Sequence, residues 1–335
     1  MKVESYKIIK KRLNDEGAFK ISNKVGLITV LVEAVFIAAV LWGLTEVEAF
    51  SFGFFVLQLL LGWLMFRSSV LIHEFGHRTV FTNKRVNDFF GFAVSPLALI
   101  PYTSWVHIHQ GHHRWTGFAD KDPSSTQLRK IKSVSAVTLQ MFNVVWRLWL
   151  PFPTIQFFFA VLWLNPLVEF MNKNYKLALK ALFSVIVMLT PHVLVCMYVG
   201  VQTYFTFITI AALIHFFFYE AVTAPPHSGL YVHSMATRTK PLRVYEQDSV
   251  SRSSSMKPGW LSLYSMFNFN LHVEHHLYPS VPFYRLSKVR QRILQEDDSE
   301  YVDVPMLGFM AKLRKKHPAR TFIDTLPPFK EEDAR

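Results

Sequence analysis

Nine of the 14 histidines in this 335-residue chain fall in three short clusters. They read H-E-F-G-H at His73 to His77, H-I-H-Q-G-H-H at His107 to His113, and H-V-E-H-H at His272 to His276. His227, in P-P-H-S-G-L, stands alone between the second and third. Neutral imidazole is the commonest side-chain ligand for metals. One zinc takes about four ligands and an octahedral metal about six. The clusters offer more imidazoles than one ion can use, so their number predicts a two-metal site built almost wholly of histidine.

Spacing refines the expectation. His73 and His77 are four apart and share one face of a helix, where they can chelate one ion. His109, His112 and His113 combine three- and four-residue spacings, as do His272, His275 and His276. In each triple the two adjacent imidazoles point in different directions, so each triple can serve two metals. Glu74 and Glu274 lie inside clusters, where a carboxylate can orient an imidazole through a hydrogen bond; the plainer reading is a solvated helix residue. His107 does not fit the spacing and reads as supporting or structural. His192 and His215 fall inside apolar segments, at depths that favour helix–helix contacts over ligation. His233 and His317 read as structural.

The elements that must carry these residues are hydrophobic. The chain is 51% hydrophobic and 15% aromatic, too apolar for an ordinary soluble domain. Four segments can each cross a bilayer, which takes about 20 residues: Val25 to Leu44, Ala49 to Ile72, Leu177 to Val199 and Thr203 to Thr223. Very short links, Thr45 to Glu48 and Gly200 to Gln202, make each pair a hairpin. The N-terminal segment carries Lys2, Lys7, Lys10, Lys11, Arg12, Lys20 and Lys24, whereas the first link carries Glu46 and Glu48. By the positive-inside bias both termini and all the clusters are cytosolic. The second span, if helical through His77, outlasts the ~30 Å hydrocarbon core, so His73 and His77 stand beyond the lipid. Phe89 to Trp105 and Val144 to Leu167 are apolar but interrupted by prolines, and read as interfacial or re-entrant.

The expected fold is all-α: a multi-pass membrane bundle of four helices in two hairpins, under a cytosolic histidine-rich cap. Residues 1–24 form a cytosolic segment, 25–295 the membrane domain, and 296–335 a charged tail of modest structure. No cleavable leader is expected. The net charge of +12 reflects cytosolic loops, and the scattered basic residues exclude a nucleic-acid partner. Cys196 is the only cysteine, which excludes an internal disulfide, a thiolate metal site and an iron–sulfur cluster held by this chain.

Taken in order, H-E-F-G-H, H-Q-G-H-H-R-W-T-G-x-x-D-K-D-P, P-H-S-G-L and N-F-N-L-H-V-E-H-H-L-Y-P-S-V-P-F-Y resemble the integral-membrane fatty acid desaturase superfamily, which includes related hydroxylases. The resemblance runs from about His73 to Leu286. It implies a non-haem centre of two irons with O2 as co-substrate, and an external electron donor of ferredoxin or cytochrome b5 type. Carried over position by position, it implies His73, His77, His109, His112, His113, His227, His272, His275 and His276 as ligands. Asn268 resembles the asparagine that precedes the third box, and is expected to hold a water or an imidazole. The implied activity is desaturation of a fatty acyl chain carried on a lipid or a thioester. Hydroxylation of a lipid, alkane or carotenoid is the alternative.

Two rivals come from other classes. H-E-F-G-H also satisfies the zinc-protease pattern H-E-x-x-H, with Glu74 as general base. That reading leaves the second and third clusters unexplained and finds no distant aspartate ligand. A metal transporter or sensor would place ionisable residues deep in the spans, where only His192 and His215 offer thin support.

Overall fold

The computed structural model describes residues 1–125, 134–257, 259–295 and 301–318. Among these, the only sheet is a three-residue parallel pairing of β1 (Ser253–Ser255) with β2 (Asp303–Pro305); the remaining regular structure is helical. The chain divides into two compact units interleaved in sequence. One comprises Ile21–Val106 and Pro153–Glu220; the other comprises Met1–Lys20, His107–Phe152 and Ala221–Arg335.

Among the described residues, four helices are long and apolar enough to cross a membrane: α2 (Asn23–Thr45), α3 (Phe52–His77), and the helices Tyr175–Val199 and Val201–His227. Three of them contain the apolar run that predicts them; α3 starts at Phe52, three residues after the predicted Ala49, because Ser51 caps it there, and runs on past Ile72 to His77. The Ser22 and Ser51 hydroxyls accept from the amides of Val25 and Phe54, satisfying donors that a helix start leaves open. Gly200, at φ 86°, alone separates the last two helices. The two proline-interrupted stretches bend sharply at short breaks. One bend joins α4 (Lys84–Ala98) to α5 (Tyr102–Trp115), and the other joins Ala136–Arg147 to Phe152–Trp163.

Within the first unit α3 is the central helix. About two thirds of its apolar stretch is buried (67%), against 17%, 11% and 28% for the other three. Val40 and Leu44 of α2 pack with Phe54, Leu61, Leu64 and Met65 of α3 and with Ala211. Polar side chains fix the register. The Gln58 amide donates to the Phe207 carbonyl and accepts from the Ala211 amide, both at 2.9 Å, so it inserts into one rung of the Val201–His227 helix. At Gly62 a Cβ would lie 2.6 Å from the Ile214 side chain and 2.7 Å from the Ala211 carbonyl, so only glycine permits this approach. Arg67 donates to Glu33 through Nε at 2.9 Å and again through its terminal nitrogen, and lies over the Trp63 ring. Both charges are buried, where an ion pair persists because each alone would be costly.

The second unit closes around α1 (Val3–Asp15). Ile9 and Leu13 pack against Leu277, Val281, Leu286, Val289 and Ile293. Residues 301–318 of the charged tail add more structure than their composition suggests. β2 pairs with β1, and the helix Met306–Lys315 packs Met310 and Leu313 on Trp146. The Arg314 guanidinium sits 3.9 Å from the Trp146 ring centroid and donates to the Trp146 carbonyl at 2.9 Å. The rest of the tail lies outside the described residues.

Candidate metal centre

Four histidines of the second unit meet in its interior. His112 projects from α5, His272 and His276 from the short helix His272–Leu277, and His227 is the last residue of its helix, just after Pro225 and Pro226. All four are buried, and their candidate ligand atoms lie within 4.8 Å of one another. His272 Nε2 is 2.8 Å from His227 Nε2 and 3.0 Å from His276 Nε2. A second group in this unit comprises His109, His113 and His275. His113 Nε2 lies 3.0 Å from His109 Nε2 and 2.9 Å from His275 Nε2. Adjacent residues therefore separate: His112 and His113 point into different groups, and so do His275 and His276.

In His112, His227 and His276 the nitrogen facing away from the group is held. His112 Nδ1 meets Asp122 Oδ2 at 2.8 Å, and the Asp122 carboxylate is completely buried. His227 Nδ1 donates to the Val250 carbonyl at 3.0 Å, and His276 Nδ1 to Gln247 Oε1 at 2.9 Å. An Nδ1 that carries the proton leaves the Nε2 lone pair directed inward. Burial, reinforced by the neighbouring imidazoles His113, His272, His227 and His112, holds His276 well below the ordinary histidine pKa. It is therefore neutral at pH 7 and able to ligate.

In the first unit His73 and His77 lie one turn apart at the end of α3, with ring centroids 4.7 Å apart. Glu74 accepts from His73 Nδ1 at 2.9 Å and from the Thr79 hydroxyl at 2.8 Å. Each carboxylate oxygen thus has a partner, and the group is buried. Such a carboxylate is not placed to take a proton from a water, as the protease reading requires. The helix stops at Arg78, in the left-handed region at φ 61°. Among the described residues the Glu274 carboxylate hydrogen-bonds to no imidazole: it accepts from the Tyr301 hydroxyl at 2.8 Å and from Ser253. Burial pushes its carboxyl above the usual range, against the lowering effect of these bonds.

Asn268 adopts the left-handed conformation at φ 57°. Its Oδ1 accepts from the Ser262 hydroxyl at 2.8 Å, and its Nδ2 donates to the Phe283 carbonyl at 2.9 Å. Its amide holds the turn leading to His272 rather than an imidazole. His107 is exposed. His192 bridges the Tyr204 hydroxyl at 2.8 Å and the Pro96 carbonyl at 2.9 Å, a packing role. His215 is enclosed by the rings of Phe158, Phe216 and Tyr219. His233 pairs its backbone with Gly117 and Ala119, and His317 lies beside a cleft with Arg147, Lys315 and Lys316.

The donor set fits a divalent first-row metal. With metal–nitrogen bonds of about 2.0–2.1 Å, adjacent ligands of an octahedral ion lie roughly 2.9 Å apart. Two nitrogen pairs in each group of the second unit show this spacing (2.8–3.0 Å). Imidazole donors suit iron, copper, nickel and zinc and are poor hosts for magnesium or calcium. Sequence reasoning missed three residues. Asp122 had a signal, an acid close after the second cluster; Gln247 and the Val250 carbonyl had none.

The family model described as fatty acid desaturase matches residues 50–306, which contain every clustered histidine and His227. The chain belongs to the fatty acid desaturase family. A Delta(12) fatty acid desaturase of Mortierella isabellina is 42% identical over 53 residues, covering 16% of this chain and 13% of that protein. The endoplasmic-reticulum omega-3 fatty acid desaturase of Vigna radiata var. radiata is 24% identical over 237 residues, covering 67% of this chain and 59% of the relative. A chloroplastic omega-6 fatty acid desaturase of Glycine max is 23% identical over 248 residues, with 70% and 54% covered. The chain thus spans well under two thirds of the length of these relatives.

Proposed function

We propose that this desaturase-family protein is an integral-membrane enzyme that inserts a double bond into a fatty acyl chain. Two irons would supply, when bound, an O2-derived oxidant strong enough to take hydrogen from an unactivated methylene. One observation carries the reading: a buried, all-imidazole group of four, with a second imidazole group beside it, in a chain of this family. In this reading His112, His227, His272 and His276 hold one iron. His109, His113 and His275 would contribute to the other, and the family resemblance adds His73 and His77 to the ligand set. The overall reaction takes two hydrogens from the acyl chain, with O2, two protons and two electrons, and releases two waters. The electrons come from a separate carrier of ferredoxin or cytochrome b5 type.

The four long helices form two hairpins in this reading, with the termini and the histidine groups on the cytosolic side. Lipid surrounding the helices lets an acyl chain enter laterally. The protein's task is then to hold a chosen methylene close to the metals, within about 3–3.5 Å for a productive approach.

Mass-spectrometric lipid profiling of cells with and without the protein tests the activity. A new monounsaturated or more unsaturated acyl chain is expected. A hydroxylated product in its place would move the assignment to the hydroxylase branch, and an unchanged profile in cells supplied with a donor would overturn it. Purified protein loaded anaerobically should carry close to two irons per chain, and a single zinc with no iron uptake would return the protease reading.

A further inference from the structure

We propose that Gln247 is a positioning residue that fixes the His276 imidazole of one histidine group from an anchor on the backbone of the other group in the second unit. The inference rests on the two-metal reading and adds a residue to it. Gln247 is buried, with 3% of its surface exposed. Its Nε2 donates to the main-chain carbonyl of His113 at 2.8 Å, and its Oε1 accepts from His276 Nδ1 at 2.9 Å. His113 belongs to one histidine group and His276 to the other. A single side-chain amide therefore touches both.

The chemistry of the amide makes this bridge directional. Glutamine has one donor end and one acceptor end. The His113 carbonyl can only accept, so the NH2 group must face it, which turns the oxygen toward His276. An oxygen there requires the proton of His276 to sit on Nδ1. The inward Nε2, 3.0 Å from His272 Nε2, then keeps its lone pair. Thr116 Oγ1 also lies 3.5 Å from His276 Nδ1, but it donates to the His112 carbonyl at 2.6 Å and stands at the outer limit of hydrogen bonding to the imidazole. The His113 carbonyl needs a partner because it lies in the last turn of α5, where carbonyls lose their helical donors.

Gln247 is itself held. It lies in the 3-10 turn Val244–Val250. The Arg243 amide donates to Glu246 at 2.7 Å, Glu246 pairs with Arg238 at 2.9 Å, and the Ser251 hydroxyl donates to the Gln247 carbonyl. The same turn ends at Val250, whose carbonyl receives His227 Nδ1. One seven-residue turn thus sets the orientation of two imidazoles of the buried four and anchors the backbone beneath a third histidine in the other group.

The competing explanation is that Gln247 only satisfies a buried helix-end carbonyl. Full-length protein in detergent, loaded anaerobically with Co(II) and then challenged with a chelator, separates the two. Gln247→Leu removes both bonds. Gln247→Glu keeps an acceptor for His276 Nδ1. Positioning predicts that Gln247→Leu releases one of two ions about 10–100-fold faster than the parent. It also predicts a changed Co(II) absorption band, parental release of the other ion and most of the retention restored in Gln247→Glu. Parental release in Gln247→Leu, or a Gln247→Glu variant as leaky as Gln247→Leu, overturns the proposal. So does a Gln247→Leu variant that loses both ions together at a lowered melting temperature. A parent that takes up no metal removes the two-metal reading itself, whereas a two-ion parent with an indifferent Gln247→Leu removes only the brace.

Discussion

An imidazole coordinates only through a nitrogen that carries no proton, so the partner of its other nitrogen decides whether it can serve at all. Asp122 does this for His112. We predict that Asp122→Leu weakens metal retention about 10–100-fold while Asp122→Asn, which can still accept through its side-chain oxygen, stays closer to the parent. Chelator competition on purified protein measures both, and equal loss in the two variants would assign Asp122 a purely charge-based role. The contrast between Glu74→Gln and His77→Ala tests the protease rival. Turnover should vanish in His77→Ala and survive in Glu74→Gln, because the amide oxygen can still accept from His73; total loss in both would favour the protease reading. A third position acts through backbone shape. Gly117 stands at φ +83°, and a Cβ there would meet Val250 at 2.8 Å, beside the carbonyl that receives His227. Gly117→Ala should cost about 1–3 kcal/mol, read as a lowered melting temperature. At this scale the clusters were legible because three- and four-residue spacings show directly in the sequence. Gln247 was not, because its bond to His113 joins residues 134 apart and comes into being only when the turn folds.

Helices of this kind cannot rely on the hydrophobic effect to find one another within lipid, so small residues and buried polar contacts set their register. Gln58 and Gly62 of α3 do so toward the Val201–His227 helix. Gly62→Val should force the helices apart at a cost of about 1–3 kcal/mol. Gln58→Leu should cost about as much, because the Ala211 amide and Phe207 carbonyl lose their bridge. Thermal unfolding in detergent reads both, and parental stability in Gly62→Val would mean the helices part without loss. The four long helices were legible from apolar runs alone, although their ends were not: Ser22 starts α2 two residues early, Ser51 starts α3 three residues late, and the last helix continues through Pro225 and Pro226. Their partners were not legible. Glu33 and Arg67 lie 34 residues apart, with nothing local to announce a pair, and each appears in the sequence only as an unwelcome charge in an apolar run.

Across the whole molecule, the basic excess takes two forms. Arg238, Arg285 and Arg290 are committed to Glu246, the Gly17 carbonyl and Asp303. Arg114, Lys121 and Lys288 are exposed. If an acidic electron carrier docks on the exposed set, turnover at subsaturating carrier should fall as ionic strength rises, and Lys288→Glu should lower it further. Turnover indifferent to both changes would restrict these side chains to contacts with anionic lipid. The tail was the least legible region. Its polar composition hides a few large contacts, such as Arg314 on Trp146 and Tyr301 on Glu274, that tie residues 301–318 into the second unit. That unit is drawn from three separate stretches of chain, and this sets a timetable. His113 and His275 stand 162 residues apart in sequence although their nitrogens meet at 2.9 Å. At about 5–20 residues per second, the ribosome adds His275 roughly 8–30 s after His113. During that interval the second cluster lacks the third-cluster imidazoles that pack against it. Under the proposed two-metal reading, loading by the complete set must therefore follow synthesis of the third cluster, so metal supplied only before that point would leave the finished protein metal-poor.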